Sequence, residues 1–262
     1  MNAGPRTIEM LVAVKAYPAI SAKYGEVECV AGVRTDTPTP SWVRLFPVPF
    51  RDLPWSRRFK KYQLIRLQVE PHSSDSRPES YRPNVETLQC GDVLDTKKAW
   101  AERRAYVDPL EVESMCEIAR RRELDGTSLG VFRPAEILDL EIERDSATWD
   151  QGKQSTADQM SLLFPGKKGL EKIPYRFRYR YRCADPRCRT HSQSIIDWEL
   201  AEAARKWPYP TEEELLAKIR QRWLERMWAA DRDTRLFVGN QHQYPDGFLV
   251  LGVFWPPKPS AN

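Results

Sequence analysis

The 262 residues are enough to bury a sizeable core in one large domain or two smaller ones, and 41% hydrophobic with 30% charged residues exclude global disorder. The net charge of +4, from 41 basic against 37 acidic residues, is too small to identify a partner, so any nucleic-acid argument must come from local clustering. With 21 prolines against 12 glycines, short elements joined by rigid connections are expected. No apolar run approaches the ~20 residues a membrane helix needs. Residues 1–6 lack the hydrophobic stretch of a secretory signal, and five cysteines do not read as a secreted disulfide framework. A soluble protein of the reducing cytoplasm is the expectation.

In chain order, residues 7–15 read as a strand of β-favouring apolar residues, followed by strands over 26–33, 41–48 and 62–70, the last bounded by Pro71. Four strands in the first 70 residues imply a small antiparallel sheet or barrel. Residues 71–84 are polar and proline-punctuated and read as a connection. Within it, the stretch from Asp75 to Arg82 mixes acidic, basic and aromatic groups, either as a binding loop or as a surface loop tied by its own salt bridges.

A helix is expected from Thr96 through Trp100 to Ala105, and a second from Pro109 to about Gly126. Residues 133–143 read as a strand carrying Ile137, Leu138, Leu140 and Ile142. Residues 144–174, including 150–158 and 165–169, are linker-like. Two further helices are expected over 194–206 and 212–229, the second opened by a capping box of Thr211 and Glu214. The apolar runs from Arg235 and from Gly247 read as a β-hairpin ended by Pro256 and Pro257. The fold class is therefore α+β: a β-rich N-terminal sheet or small barrel, a helical middle, and a C-terminal Cys/His element with two helices and a hairpin. In domain terms, 1–143 is the β-rich part with its helical extension, 144–174 a connection, and 175–262 the C-terminal part.

The most specific chemical feature is Cys183, Cys188 and His191. Two thiols and an imidazole within nine residues can converge on a tetrahedral cation, and the spacing falls among those of structural zinc sites. A fourth ligand must come from Asp197 or Glu199, or from Cys29, Cys90, Cys116 or His242 brought in by the fold. Zinc, if held, would be structural. The plainer alternative is a pair of ordinary thiols beside a surface histidine.

Residues 175–182 alternate aromatic and arginine without exception. As a strand, they place Tyr175, Phe177, Tyr179 and Tyr181 on one face and Arg176, Arg178, Arg180 and Arg182 on the other. The arginines then stand ~6.6–6.8 Å apart, close to the phosphate spacing of a single strand, and each fork can take a phosphate by two parallel hydrogen bonds. Lys60 and Lys61, beside Arg57 and Arg58, could extend that surface, as could the triple arginine from Arg120. The plainer alternative is an amphipathic strand with aromatics in the core and arginines paired or in water. Arg120 to Arg122 equally complement a helix C-terminus.

His191, Asp197 and Glu199 could hold a divalent ion for phosphodiester hydrolysis, but residues two apart diverge on a helix, and Asp197 equally suits a helix start. His72 and His242 are acid–base candidates without a partner nearby in sequence, and the glycine at Val238–Asn240 reads as a turn serving backbone geometry. No glycine-rich phosphate loop, nucleophile elbow or paired-histidine metalloprotease motif occurs. The reading favoured is a nucleic-acid-binding protein, DNA or RNA, with a zinc-stabilised element. A metal-dependent nuclease and a non-catalytic subunit of a larger assembly are the alternatives, the latter offering nine tryptophans and the apolar hairpin to a protein partner.

Overall fold

A computed structural model describes residues 4–21, 23–163 and 169–259, with residues 158–163 described by backbone alone. The opening residues 1–3 and most of the glycine–lysine stretch after Pro165, both read above from sequence, lie outside the described residues. The α+β expectation holds, and the N-terminal sheet is a barrel.

Five strands close the ring: β1 (Arg6–Lys15), β3 (Gly25–Arg34), β4 (Ser41–Val48), β5 (Gln63–Pro71) and β6 (Ser80–Val93), with a short β2 (Ala19–Ser21) on the edge of β3. The first half of β1 pairs with β5 and its second half with β3, the register slipping between Val12 and Val14. That bulge bends β1 enough to join both neighbours. Counting only the ring, the order is first–second–third–fifth–fourth–first, and the third–fifth contact of β4 with β6 is parallel. This is the Greek-key barrel of the oligonucleotide/oligosaccharide-binding (OB) type. The fifth strand was not legible: residues 80–84 were expected in a connection, yet Ser80 opens β6 despite Pro83. Here Pro83 sits opposite Val69, one pair from a register shift.

Inside the barrel lie Ile8, Met10, Val12, Val30, Val43, Leu45, Ile65, Leu67 and Val69. The opposite faces of β1 and β3 are buried as well. Leu11, Ala13, Val14 and Ala31 pack on Leu129, Val131, Phe237, Leu251 and Phe254 of a second sheet. Burial on both faces explains why β1 is an almost unbroken apolar run.

That second sheet orders β13 (Tyr244–Phe254), β12 (Arg235–Gln241), β8 (Leu129–Phe132) and β7 (Glu111–Val112). The third orders β11 (His191–Ser194), β10 (Tyr175–Arg182) and β9 (Glu136–Arg144). The strand expected over 133–143 is β9, starting three residues later than read, and residues 144–174, with helix α3 (Gln151–Leu163), join two paired strands of one sheet. Helix α1 (Lys97–Val107) falls near its expected place. Helix α2 (Met115–Asp125) starts six residues past Pro109, where the Ser114 hydroxyl accepts the Glu117 N–H at 3.0 Å. Helix α4 (Trp198–Lys206) is capped by Asp197, so residues 194–197 are not helical. Helix α5 (Glu212–Arg220) is capped by Thr211 as expected and continues as a π-helical stretch over Gln221–Arg226.

The two halves are also tied by an ion network. Asp233 takes Arg104 at 2.5 Å, Arg133 at 2.5 Å and Arg235 at 3.2 Å, while Arg235 reaches Asp108 and Glu111. Burial opposes ionisation of Asp233, but the Arg104, Arg235 and Arg133 guanidiniums outweigh it and hold the carboxyl below its ordinary value. A carboxyl depressed in the folded state stabilises fully above its unfolded pKa, and that contribution disappears as pH falls through the folded value. Asp233→Asn should therefore cost about 3 kcal/mol at neutral pH and less below pH ~4. Urea unfolding at several pH values checks both; a mutational cost that stays constant with pH would contradict the account.

Candidate metal centre and barrel-face cavity

Cys183 ends β10, Cys188 lies in the loop that follows, and His191 opens β11, so the β10–β11 connection folds two thiols and an imidazole toward one point. The fourth group is Cys116, in the first turn of α2. All four ligand atoms lie within 4.8 Å of one another. The Sγ atoms of Cys183 and Cys116 are 3.6 Å apart; Nε2 of His191 lies 3.5 Å from Cys183 Sγ and 3.6 Å from Cys116 Sγ. A tetrahedral zinc with Zn–S of ~2.3 Å and Zn–N of ~2.0–2.1 Å has edges of ~3.8 Å between sulfurs and ~3.6 Å between sulfur and nitrogen. The three edges among Cys116, Cys183 and His191 match, and this Cys3His cluster could hold a metal ion.

Its surroundings fix it. Arg120 on α2 pairs with Asp185 in the loop at 2.7 Å, and the Tyr181 ring stacks on His191 at 5.1 Å. Burial pushes the Cys116 thiol up to about 12, with Cys183 adding to the rise, and burial lifts Cys188 too. Burial also opposes ionisation of Cys183, but backbone N–H groups take its thiol below the ordinary value. A divalent cation would reverse the balance for the other two, because a coordinating thiol is deprotonated outright. Cys29 and Cys90, also weighed as fourth ligands, are elsewhere, on β3 and β6.

The other proposed metal group does not assemble. Among the described residues, Asp197 and Glu199 are outside the converging ligand set. Asp197 accepts the Glu199 N–H at 2.6 Å as the α4 cap, and both carboxylates sit on Lys61, at 3.3 and 3.4 Å. Burial opposes charge on Lys61, yet Asp197 and Glu199 raise its pKa above the ordinary value. Lys61 is thereby held inside, whereas Lys60 is exposed.

On β10 the alternation is as read. Phe177, Tyr179 and Tyr181 are buried, with the Tyr179 and Tyr181 hydroxyls donating to Trp223 O and Gln193 Oε1. The arginines line the other face, and the residues opposite them on β9 are Glu143, Glu141, Asp139 and Glu136. Arg176 pairs with Asp145, Arg180 with Glu141 and Arg182 with Glu136, all at 3.2–3.4 Å. The charge row is met by a row of opposite charge on the neighbouring strand.

Sequence reading missed a cavity of about 610 Å³ on the outer face of β3 and β4. Its wall includes Tyr17 and Tyr24 between β1 and β3, Arg44 and Phe46 of β4, His72, Asp75 and Arg77 between β5 and β6, and Asn240 and His242 of the β12–β13 hairpin. Arg44, 2% exposed, donates to Ser128 Oγ at 2.7 Å, Ser128 O at 2.9 Å and Asn240 O at 3.5 Å. Ser128 in turn donates from both N and Oγ to Glu79. Arg77 forks onto Asp75 and donates to Asn240 O at 2.7 Å. Burial opposes ionisation of Asp75, but Arg77 drives its pKa well below the ordinary value. Asp75 also faces His242 Nδ1 at 3.4 Å, the partner that sequence neighbours did not supply.

Gly239 lies within β12 and not in a turn. A Cβ there would come within 2.7 Å of Leu251 Cδ1 and 3.1 Å of Arg44 Nη2, so the missing side chain lets the two halves close around Arg44. The visible signals for this site were Asp75 and the two histidines; what joins them is long-range pairing.

No helix among the described residues is long and apolar enough to cross a membrane. No curated protein matches the chain. Among solved structures, a murine DNA-binding protein bound with double-stranded DNA is similar at TM-score 0.31 and 9% identity, over 99% of this chain and 98% of that one. The Ifi202 HINa domain in complex with 20-bp double-stranded DNA is similar at TM-score 0.31 and 8% identity, over 98% and 97%. Likeness at that level does not establish a shared fold. Residues 6–109 match a model described as domain of unknown function DUF8758, which takes in the barrel and α1. Residues 111–262, more than half of the chain, match the model described as domain of unknown function DUF8757, and the chain belongs to that family.

Proposed function

We propose that this chain binds nucleic acid through the β3–β4 face of its barrel, with zinc in the Cys116, Cys183, Cys188 and His191 cluster as a structural staple. The observation that carries the reading is the place of the cavity. Barrels of this topology take oligonucleotides and oligosaccharides on the second and third strands and on the loops joining the first to the second and the fourth to the fifth. Those strands and loops here are β3, β4 and the segments holding Tyr17, Tyr24, His72 and Arg77. Lys23, Arg44 and Arg77 against Asp75 leave the wall with a net positive charge, which favours a phosphate-bearing ligand over a neutral sugar.

The arginine row of β10 enters this reading as a second phosphate surface. Arg176, Arg180 and Arg182 sit in partly exposed pairs, each worth ~0–1 kcal/mol, which phosphates could replace at small cost. We expect salt-sensitive binding in a titration of labelled single- and double-stranded DNA and RNA at two salt concentrations. Lys23→Glu should weaken it several-fold. Replacing all four arginines by glutamine should flatten the slope of log K against log salt by roughly 3, from ~0.7–0.9 per phosphate contact. An unchanged slope would confine phosphate contact to the cavity side, and no binding at low salt would reject the function.

The metal reading predicts one zinc per chain by elemental analysis after purification without chelator, lost in Cys116→Ser and in Cys183→Ser. Chelation should lower Tm by about 10 °C or more, since a structural zinc contributes folding free energy directly. Metal-free protein with unchanged Tm would remove zinc from the account.

A further inference from the structure

The cavity on the barrel face is closed on one side by the β12–β13 hairpin, through Gly239, Asn240, Gln241, His242, Leu249 and Leu251. At about 610 Å³ it falls in the ~300–1,000 Å³ range of small-ligand pockets. A duplex, whose major groove alone is ~12 Å wide, cannot enter it. The walls combine rings with apolar surface. Tyr24 meets Phe46 edge-on at 5.9 Å, and Phe46 lies 6.3 Å from the His72 ring at an interplanar angle of 33°. Val27, Leu249 and Leu251 add aliphatic surface.

Most polar groups in the wall are already engaged. Arg44 and Arg77 spend their donors on Ser128, Asn240 and Asp75, which makes them a frame and not a grip. The His72 ring serves the wall as a surface beside Phe46, with its Nε2 closed off from solvent. Burial lowers the His72 pKa from its ordinary value, so at neutral pH the ring is uncharged, and its second nitrogen lies 3.4 Å from Ser74 Oγ. Lys23 is exposed at the rim, where it can meet a phosphate.

We infer that this cavity receives one unstacked nucleotide, its base against the rings of Phe46 and Tyr24 and its phosphate at Lys23. The inference rests on the nucleic-acid reading above and narrows it from a strand lying across a face to a single base taken out of its stack. The same chemistry can come from a base swung out of a polynucleotide or from a free mononucleotide.

Three probes separate the outcomes: a single-stranded oligonucleotide, the same backbone made abasic throughout, and the four ribonucleoside monophosphates. The full-length protein should bind the base-bearing strand at least about tenfold more tightly than the abasic one, given ~1–3 kcal/mol per stacked base. Phe46→Ala should erase that ratio while leaving the abasic affinity unchanged. Tyr24→Ala should reduce the ratio several-fold, and thermal melts of both variants guard against a folding defect. Competition by a monophosphate against the base-bearing strand supports the pocket with a polymer source. Monophosphate binding without oligonucleotide binding supports the pocket with a free source and rejects the nucleic-acid reading. Equal affinity for base-bearing and abasic strands overturns the inference and leaves that reading standing. Failure of all three probes to bind overturns both.

Discussion

The Arg44 guanidinium is out of water, and its acceptors belong to the other half of the chain. A charged group placed there is tolerated only while it stays hydrogen-bonded, because the cost of stranding it is several kcal/mol. The barrel can therefore take its observed form only with Ser128 and Asn240 against it. Glu79 extends the constraint by accepting from Ser128, and Arg77 does so by reaching the same Asn240 carbonyl. Two segments that separate family models describe are thereby joined through a polar lock and not through apolar contact alone.

The lock has a consequence for the cavity. Its wall needs the outer face of β3 and β4 from one half and the β12–β13 hairpin from the other, so it has no shape until both are in place. Arg77, forked onto Asp75, is held by the Asn240 carbonyl. What remains free to serve a ligand is small, which argues for a ligand read by shape, stacking and few hydrogen bonds.

Strands with strong local pattern were legible: β1, β3, β4, β5 and the hairpin fall within a few residues of where alternation and β-branched composition put them. β6 was not, because Pro83 and the polar run before it are local signals of a loop, whereas its pairing is with residues far away in sequence. The same limit left Cys116 as one of six candidates for the fourth position of the Cys/His cluster. Cys116 is 67 residues from Cys183, and nothing near it marks it as a ligand. On β10, the pattern gave the two faces correctly but could not say what lay opposite; the acidic row of β9 comes from a strand whose own alternation is Ile and Leu against Glu and Asp. A charge row read from one strand is half an observation until its neighbour is known.

The metal cluster and the cavity are also not independent. The chain leaves His191, runs through β11, and five residues later Ile196 stands in the cavity wall. Its N–H donates to Val250 O at 2.9 Å, its carbonyl accepts from Tyr17 at 2.7 Å, and Asp197 next to it bridges to Ala16. A metal ion held by Cys183, Cys188 and His191 would therefore fix the start of a short extended segment whose end shapes the cavity wall, while Cys116 would tie it to α2. The segment has no helix or long ladder of its own to hold it. Loosening its start would reach Ile196 and Tyr17, and with them the cavity wall, before it reached the barrel core.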